Sequence, residues 1–301
     1  MNRQSACPIS IQVLCKAAGI SRQALHKHQQ RELHGAEAVD YADLFESVDR
    51  IRREHPRMGA RMLYELVRPQ GLGRDRFERL LLEKGYRVHY APPFIHHTKG
   101  VRHGYAPNLI EGKTLRDINQ VWQSDITYVI IGSLVYYLSL VTDVYSRRIV
   151  GYHFCGHYRA EGCVTALKMA LSLRKGDTLD GLIHHSDRGS QYNSSLYKSL
   201  LKRFCIQQSM CKEAYENAYE ERLHRTLKYD YIYCWPNNNQ QQLEANVKRA
   251  IRNYNFERPH SSLGKKPPVQ FEKYLNTLIP DHRPPMKIFS QQEHDQQKQV
   301  F

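Results

Sequence analysis

The chain has 301 residues, enough to bury a sizeable core in one large domain with attachments, or in two domains, which excludes a bare tail or linker. Lys and Arg outnumber Asp and Glu by 44 to 30, a formal net charge of +14 that suits a polyanionic partner, although a merely soluble basic protein would share it. Seven Cys without a Cys-x-x-Cys pair exclude a disulfide framework and a zinc knuckle. The most apolar segment, Tyr128 to Val141, is too short to cross a bilayer and is interrupted at Gly132-Ser133. With no signal-like N-terminus, the expected location is the cytosol.

From Ile11 to Gln30, Val13, Leu14, Ala17 and Ala18 precede Gly19-Ile20-Ser21, and Arg22-Gln23-Ala24-Leu25-His26-Lys27 follows. This reads as a helix-turn-helix over residues 1–35, with Gly19 in the turn and Ser21 capping the second helix. Arg22, Gln23 and Lys27 would face DNA while Ile20 and Leu25 pack inward, and a plain helical pair is the other reading. A second helical block, residues 36–90, carries Leu44, Val48 and Ile51, then Met62, Leu63 and Leu66, then Phe77, Leu80 and Leu81 at helical spacing. Its dense arginines, among them Arg57, Arg61, Arg74 and Arg76, are better explained by phosphates than by solvation alone.

Pro92-Pro93, His96-His97 and Gly104 mark a basic linker, residues 91–114. The composition then turns β-rich. Val121 to Ile131, Leu134 to Val144 and Arg148 to Cys155 read as three antiparallel strands, the first two joined by a Gly132-Ser133 hairpin turn. A helix over Ala160–Leu173, a strand over Leu182–His185, a helix over Leu196–Lys202, a strand over Cys205–Ser209 and helices over Glu216–Tyr229 and Gln242–Tyr254 follow. That order predicts an α/β fold, a ribonuclease-H-like core with a mixed five-stranded sheet over residues 115–275, preceded by the all-α helix-turn-helix region. Residues 276–301 are polar and are expected to form a mobile tail. His184-His185 and His96-His97 are read as packing or DNA-facing residues rather than ligands.

Three acids stand out. Asp125 lies inside an apolar strand, where an unpaired carboxylate is costly, so a cationic group is expected beside it. Asp187 ends a short apolar strand and opens into Arg188-Gly189-Ser190-Gln191-Tyr192, placing its carboxylate at a sheet end where ligands bind. Arg188, Gln191 and Tyr192 are assigned to DNA contact. Glu221 shares a helix face with His224, Arg225 and Lys228, which would give one face an acid for metal and bases for phosphate. Oxygen ligands from three elements suit Mg²⁺ or Mn²⁺, and two ions about 4 Å apart could drive an in-line phosphoryl transfer. No Arg-rich constellation makes any of the 20 Tyr a recombinase nucleophile.

Trp122, Asp125, Thr127 and Tyr128, then Asp143, Ser146 and Arg147, then His185, Ser186, Asp187, Gly189, Gln191 and Tyr192 resemble in turn three motifs of the insertion-sequence-three family of transposases, second-reading-frame product. Ser209-Met210, Asn217-Ala218, Tyr254-Asn255, Arg258-Pro259-His260 and Leu263 extend the likeness, which spans Tyr41 to Tyr274. The resemblance implies a catalytic core of the retroviral-integrase superfamily and a catalytic Asp125, Asp187 and Glu221, with Lys228 seven residues on, near the DNA end. Glu216 stands where Asp is commoner and the interval from Asp187 to Glu221 is a little short, so Glu220 rivals Glu221. Glu221 is preferred because it keeps the seven-residue relation to Lys228.

The resemblance also implies partners: the element's terminal inverted repeats and target DNA, a helix-turn-helix and leucine-zipper protein from the upstream frame, and further copies of this chain on DNA. The expected reaction is hydrolysis at the element end followed by attack of the freed 3′-OH on another strand. A host-adopted DNA-binding regulator and a structure-selective nuclease of the same fold are the competing readings.

Overall fold

In the computed structural model of the chain, residues 10–26, 41–88, 105–211 and 218–288 are described. At the N-terminus α1 (Ile11–Ala17) starts where Ser10 accepts a hydrogen bond from the Val13 amide. Gly19, at φ +66°, makes the turn into α2, helical over residues 22–26, which the Ser21 hydroxyl caps by accepting from the Ala24 amide at 3.0 Å. Cys15 is buried, whereas Ile20, expected to pack inward, is exposed.

The second block is three helices, α3 (Tyr41–Glu54), α4 (Ala60–Val67) and α5 (Arg74–Glu83). Leu44, Val48, Leu63, Phe77 and Leu81 bury one small core, as their spacing predicts. Leu66 departs from that pattern and faces solvent.

The larger unit is a sheet of β2 (Val121–Ile131), β3 (Leu134–Asp143), β4 (Ile149–Cys155), β5 (Ile183–Ser186) and β6 (Gln207–Met210), in the order β4-β3-β2-β5-β6. The first three strands are antiparallel, and β2-β5-β6 are parallel. Helices α6 (Ala160–Leu173) and α7 (Ser195–Arg203) cover one face over a core containing Trp122, Val141 and Val150. On the other face Leu138, Leu140 and Ile149 meet α8 (Ala218–Arg225) and α9 (Gln240–Phe256). Alternation along β3 produces this split, since neighbouring strand residues point to opposite faces. At Gly151 a Cβ would stand 2.1 Å from the Ala166 carbonyl oxygen, so only glycine lets β4 lie this close to α6. This is the expected α/β fold with a mixed five-stranded sheet of the ribonuclease-H-like kind.

Two short strands, β1 (Thr114–Leu115) and β7 (Met286–Lys287), pair at the base beside α10 (Pro268–Leu275). The stretch after Leu275, expected to be mobile throughout, is therefore folded onto the core as far as residue 288. Its anchors are few but well placed: Ile288 is buried, Tyr145 donates to the Pro284 carbonyl at 2.7 Å, and Arg283 pairs with Asp117. Residues 289–301 lie outside the described residues. In the expected linker, Leu109 and Ile110 pack into the same cluster as Ile288, and Tyr105 packs against the core beneath α6 and α7.

The helical block is joined to the core through the end of α3. Its last carbonyls lack partners within the helix, and the core supplies them: Arg53 O accepts from Trp235 Nε1 at 3.2 Å and Glu54 O from Asn253 Nδ2 at 2.9 Å. Arg249 grips the Glu54 carboxylate at 2.6 and 2.9 Å, and buried His55 shares hydrogen bonds with Tyr231 at 2.8 Å and Glu257 at 3.3 Å. The Arg249–Glu54 pair is partly exposed, so its charge-assisted bonds are worth about 1 kcal/mol after screening. Arg249→Ala is expected to lower hydrogen-exchange protection of the α3 amides about fivefold while leaving those of β2 and β3 unchanged.

Candidate active site

Ser124 on β2 is paired with Ser186 on the parallel strand β5. One position further along each strand stand Asp125 and Asp187, so the register alone puts two carboxylates at neighbouring places, on strands about 4.8 Å apart. The pair rests on a buried polar floor. His184 shares hydrogen bonds with Ser124 Oγ at 2.9 Å and Tyr197 Oη at 2.8 Å, and His185 with Ser209 Oγ at 2.8 Å. Burial pushes these imidazoles down, His184 to about 3 and His185 to about 4, so both are neutral packing residues at physiological pH.

Asp125 accepts from the Ile126 amide at 2.8 Å, and its side chain is 17% exposed. One expected cationic neighbour is present: the Lys228 ammonium, held 4.9 Å from the Tyr128 ring centroid, is pushed down by burial and back up by Asp125, while the imidazole of His224, whose Nδ1 lies 3.7 Å from the Asp125 carboxylate, is pushed down by burial to about 3 and is neutral. Asp187 accepts from the Gly189 amide at 3.0 Å, and burial raises its carboxyl above the ordinary range. A Cβ on Gly189 would stand 2.9 Å from the Asp187 carboxylate oxygen, so the close approach this glycine permits is to the aspartate.

The two candidate third acids are sorted by α8. Glu221 is on its exposed side. Glu220 is 1% exposed, its carboxyl pushed up to about 8 by burial, with smaller opposing pulls from Thr142 and Arg147. Glu221 stands one helical turn before His224, whose ring faces Asp125. Among the described residues no three carboxylate, imidazole or thiol groups converge on one point; the strand register sets Asp125 and Asp187 at neighbouring positions, and Glu221 lies on the exposed side of α8. Residues 212–217, just before α8, lie outside the described residues. A set of carboxylate oxygens with no thiol fits a hard cation such as Mg²⁺, and the raised Asp187 carboxyl is that of a half-buried acid lacking enough positive charge beside it.

Several residues assigned to DNA by sequence are interior. Tyr192 is 1% exposed and packs edge-on to Tyr197, Gln191 is buried, and His224 is buried between two acids, so none presents a surface to a duplex. Tertiary packing decides their burial, a distinction that residue type does not reveal. Arg188 lies over the Tyr105 ring at 4.6 Å, Arg225 is exposed, and Lys228 is half-buried. Past Arg225 the helix widens into π winding over Thr226–Tyr231, so the α-helical spacing assumed as far as Lys228 does not continue. Arg22, Gln23, Arg61, Arg74 and Arg76 are exposed, with Arg61 and Arg74 near Glu78, and Arg57 is half-buried near Asp230. Lys27 lies outside the described residues.

The remaining motif residues brace the site. Asp143, fully buried, accepts from the Asn119 amide at 2.6 Å and the Ser146 amide at 2.8 Å. Asn255 pairs with both the amide and the carbonyl of Ile149, at 2.9 and 2.8 Å. Arg147, at φ +61°, lies 3.6 Å over the Tyr219 ring, at the start of α8.

Known proteins resemble this chain over much of its length. The integrase core domain family matches residues 116–215, and a second integrase core domain family matches residues 205–268. A 31 kDa protein of insertion element IS600 from Shigella sonnei is 32% identical over 270 residues, covering 87% of this chain and 98% of its own length. Transposase InsF of insertion sequence IS3A from Escherichia coli K12 is 28% identical over 284 residues, covering 87% and 94%. The magnesium complex of the HTLV-2 integrase catalytic core covers 55% of this chain and 99% of its own, with 18% identity and a TM-score of 0.43.

Proposed function

Because the chain belongs to the insertion-sequence-three (IS3) family of transposases, with a catalytic core of the integrase superfamily, we propose that it cleaves the ends of its element and joins them to a second strand through Asp125, Asp187 and Glu221. The observation that carries this reading is the placement of Asp125 and Asp187 at neighbouring positions of two parallel strands, beneath a helix that bears Glu221 and presents His224 to Asp125.

The three carboxylates would hold two Mg²⁺ or Mn²⁺ ions. When bound, these ions supply activation of the attacking oxygen and charge neutralisation at the leaving one. The protein's own part is positioning. Adjacent strands fix the two aspartates, Gly189 donates to Asp187, and Lys228 sets a half-buried positive charge beside Asp125, where a phosphate would lie. Arg188 and Arg225 extend that positive rim, and Arg22, Gln23, Arg61, Arg74 and Arg76 supply exposed DNA-facing groups on the helical blocks. Partners under this reading are the terminal inverted repeats, target DNA, an upstream-frame helix-turn-helix protein and further copies of the chain, in the bacterial cytosol. Among the described residues no helix is long and apolar enough to cross a membrane.

The test is strand transfer by purified chain, with the upstream-frame protein added, on labelled element ends. Joined products are expected in Mg²⁺ and are lost in EDTA. Cleavage without joining would replace this reading with the nuclease, and binding without either would replace it with the regulator.

A further inference from the structure

The ladder between β2 and β5 ends at Ser124, so β2 runs on past Asp125 to Ile131 beyond the reach of β5. A different element lines that stretch. Past α8 the chain winds as a π-helix over Thr226–Tyr231 and a short 3-10 turn over Ile232–Cys234. It touches β2 twice: the Lys228 ammonium sits 4.9 Å from the Tyr128 ring centroid, and Tyr233 Oη accepts from the Ile130 amide at 3.2 Å. Lys228 is also 5.9 Å from the Tyr229 ring, which meets Tyr233 edge-on with centroids 5.5 Å apart.

Three tyrosine rings and one ammonium are thus gathered beside the strand that carries Asp125, with Tyr128 about 10 Å along it from the carboxylate's own position. An aromatic cluster is ordinarily core, but this one reaches the surface: Tyr233 is 37% exposed, and the hairpin it touches exposes Ile130, Leu134 and Val135. The rings are also held in place. The Ile130 amide fixes the Tyr233 hydroxyl, and the edge-to-face contact sets its ring against Tyr229, so little side-chain freedom is left to lose on binding. Pinned rings beside a cation suit a ligand that joins a flat π-system to negative charge, as a nucleotide does.

We propose that Tyr229 and Tyr233, joined to the Asp125 strand through Lys228 and Tyr128, form a platform on which an unpaired base of the DNA end stacks while the adjoining phosphate lies at Asp125. The platform rests on the reading of Asp125 as part of the active site. Unpairing the last bases frees the strand to approach a carboxylate carried on a sheet, and stacking on tyrosine offsets the base stacking that unpairing loses. Every base has a π-face, so the platform accepts the terminal nucleotides whatever their identity. A protein partner is the other occupant that the exposed hairpin would admit, and the test separates the two.

The test is binding of the full chain, in EDTA, to a short duplex with a few unpaired nucleotides at one end, to the same duplex blunt, and to the frayed duplex with abasic sites in place of the unpaired bases. Stacking one base on an aromatic ring is worth a factor of about five or more, so the frayed end is expected to bind at least about fivefold tighter than the blunt one, and the abasic end no better than the blunt. Tyr229→Leu/Tyr233→Leu should reduce that preference to about twofold or less, whereas Tyr229→Phe/Tyr233→Phe keeps both rings and should retain it. An abasic end bound as tightly as the frayed one would overturn the platform. A preference that survives in the leucine variant would also overturn it and leave the tyrosine face to a protein partner. Strand transfer by a wild type without any frayed-end preference would overturn the platform and leave the active-site reading intact. Frayed-end preference without any strand transfer would instead overturn that reading, and with it the placement of the phosphate at Asp125.

Discussion

Asp187→Asn is expected to abolish strand transfer, by at least about a thousandfold, while making the metal-free protein more stable near neutral pH. The loss follows from the site's design. A divalent cation supplies several kcal/mol of charge stabilisation to phosphoryl transfer, and each 1.36 kcal/mol is tenfold in rate. An amide in place of one anionic ligand removes most of that. The gain in stability follows from where the carboxyl sits. Burial raises it above its ordinary value, against a weaker pull from the Gly189 amide, and Asp125 stands at the adjoining strand position. A group whose folded-state pKa is raised contributes stability in its protonated form that is lost as pH rises through that pKa. At neutral pH the native aspartate is therefore a burden in the absence of metal, and asparagine relieves it. Thermal melts with and without Mg²⁺ check this: the variant should melt above wild type in EDTA, and Mg²⁺ should raise only the wild type. A variant that melts below wild type in EDTA would show that Asp187 is held by protein partners and not poised for a cation.

Much of this geometry could be read from sequence because it depends on short periods. The strands Val121–Ile131 and Leu134–Asp143 are β-rich runs that meet at a two-residue turn, and the helix Ala160–Leu173 repeats its apolar face at the helical interval. Asp125 and Asp187 were visible as charges set in apolar strands. What escaped depends on distant pairing. Thr114–Leu115 and Met286–Lys287 join in a two-residue ladder across more than half of the chain, with too few residues to show any period. Tyr192 and Gln191 look polar in sequence, but their environment is decided by the packing of α7 and the far side of β5. Glu220 and His224 are four apart on one helix, and that spacing was the one local sign of their contact; which face of α8 is buried depends on β2 and β3.

Glu272→Leu is expected to destabilise the protein by about 3–5 kcal/mol, the usual cost of leaving buried charge uncompensated. Glu272 is 8% exposed and lies between Arg174, 5% exposed, and Arg148. Burial alone would raise its carboxyl, but the hydrogen bonds and charges of Arg174 and Arg148 outweigh burial and hold it below the ordinary range. Its contribution is thus present above the unfolded-state pKa and fades as pH falls through the lowered one. The same carboxylate accepts from Ser146 Oγ at 2.8 Å, in the turn that Asp143 closes and that ends at Arg147 beneath Tyr219. Cutting this cluster therefore loosens the support of α8, the helix carrying Glu220, Glu221 and His224. Urea unfolding measures the first effect. For the second, strand transfer assayed where Glu272→Leu is still fully folded should remain depressed, and Glu272→Leu/Arg148→Leu/Arg174→Leu should recover much of the stability without recovering the activity. Full activity in the folded single variant would confine Glu272 to holding the base of the core.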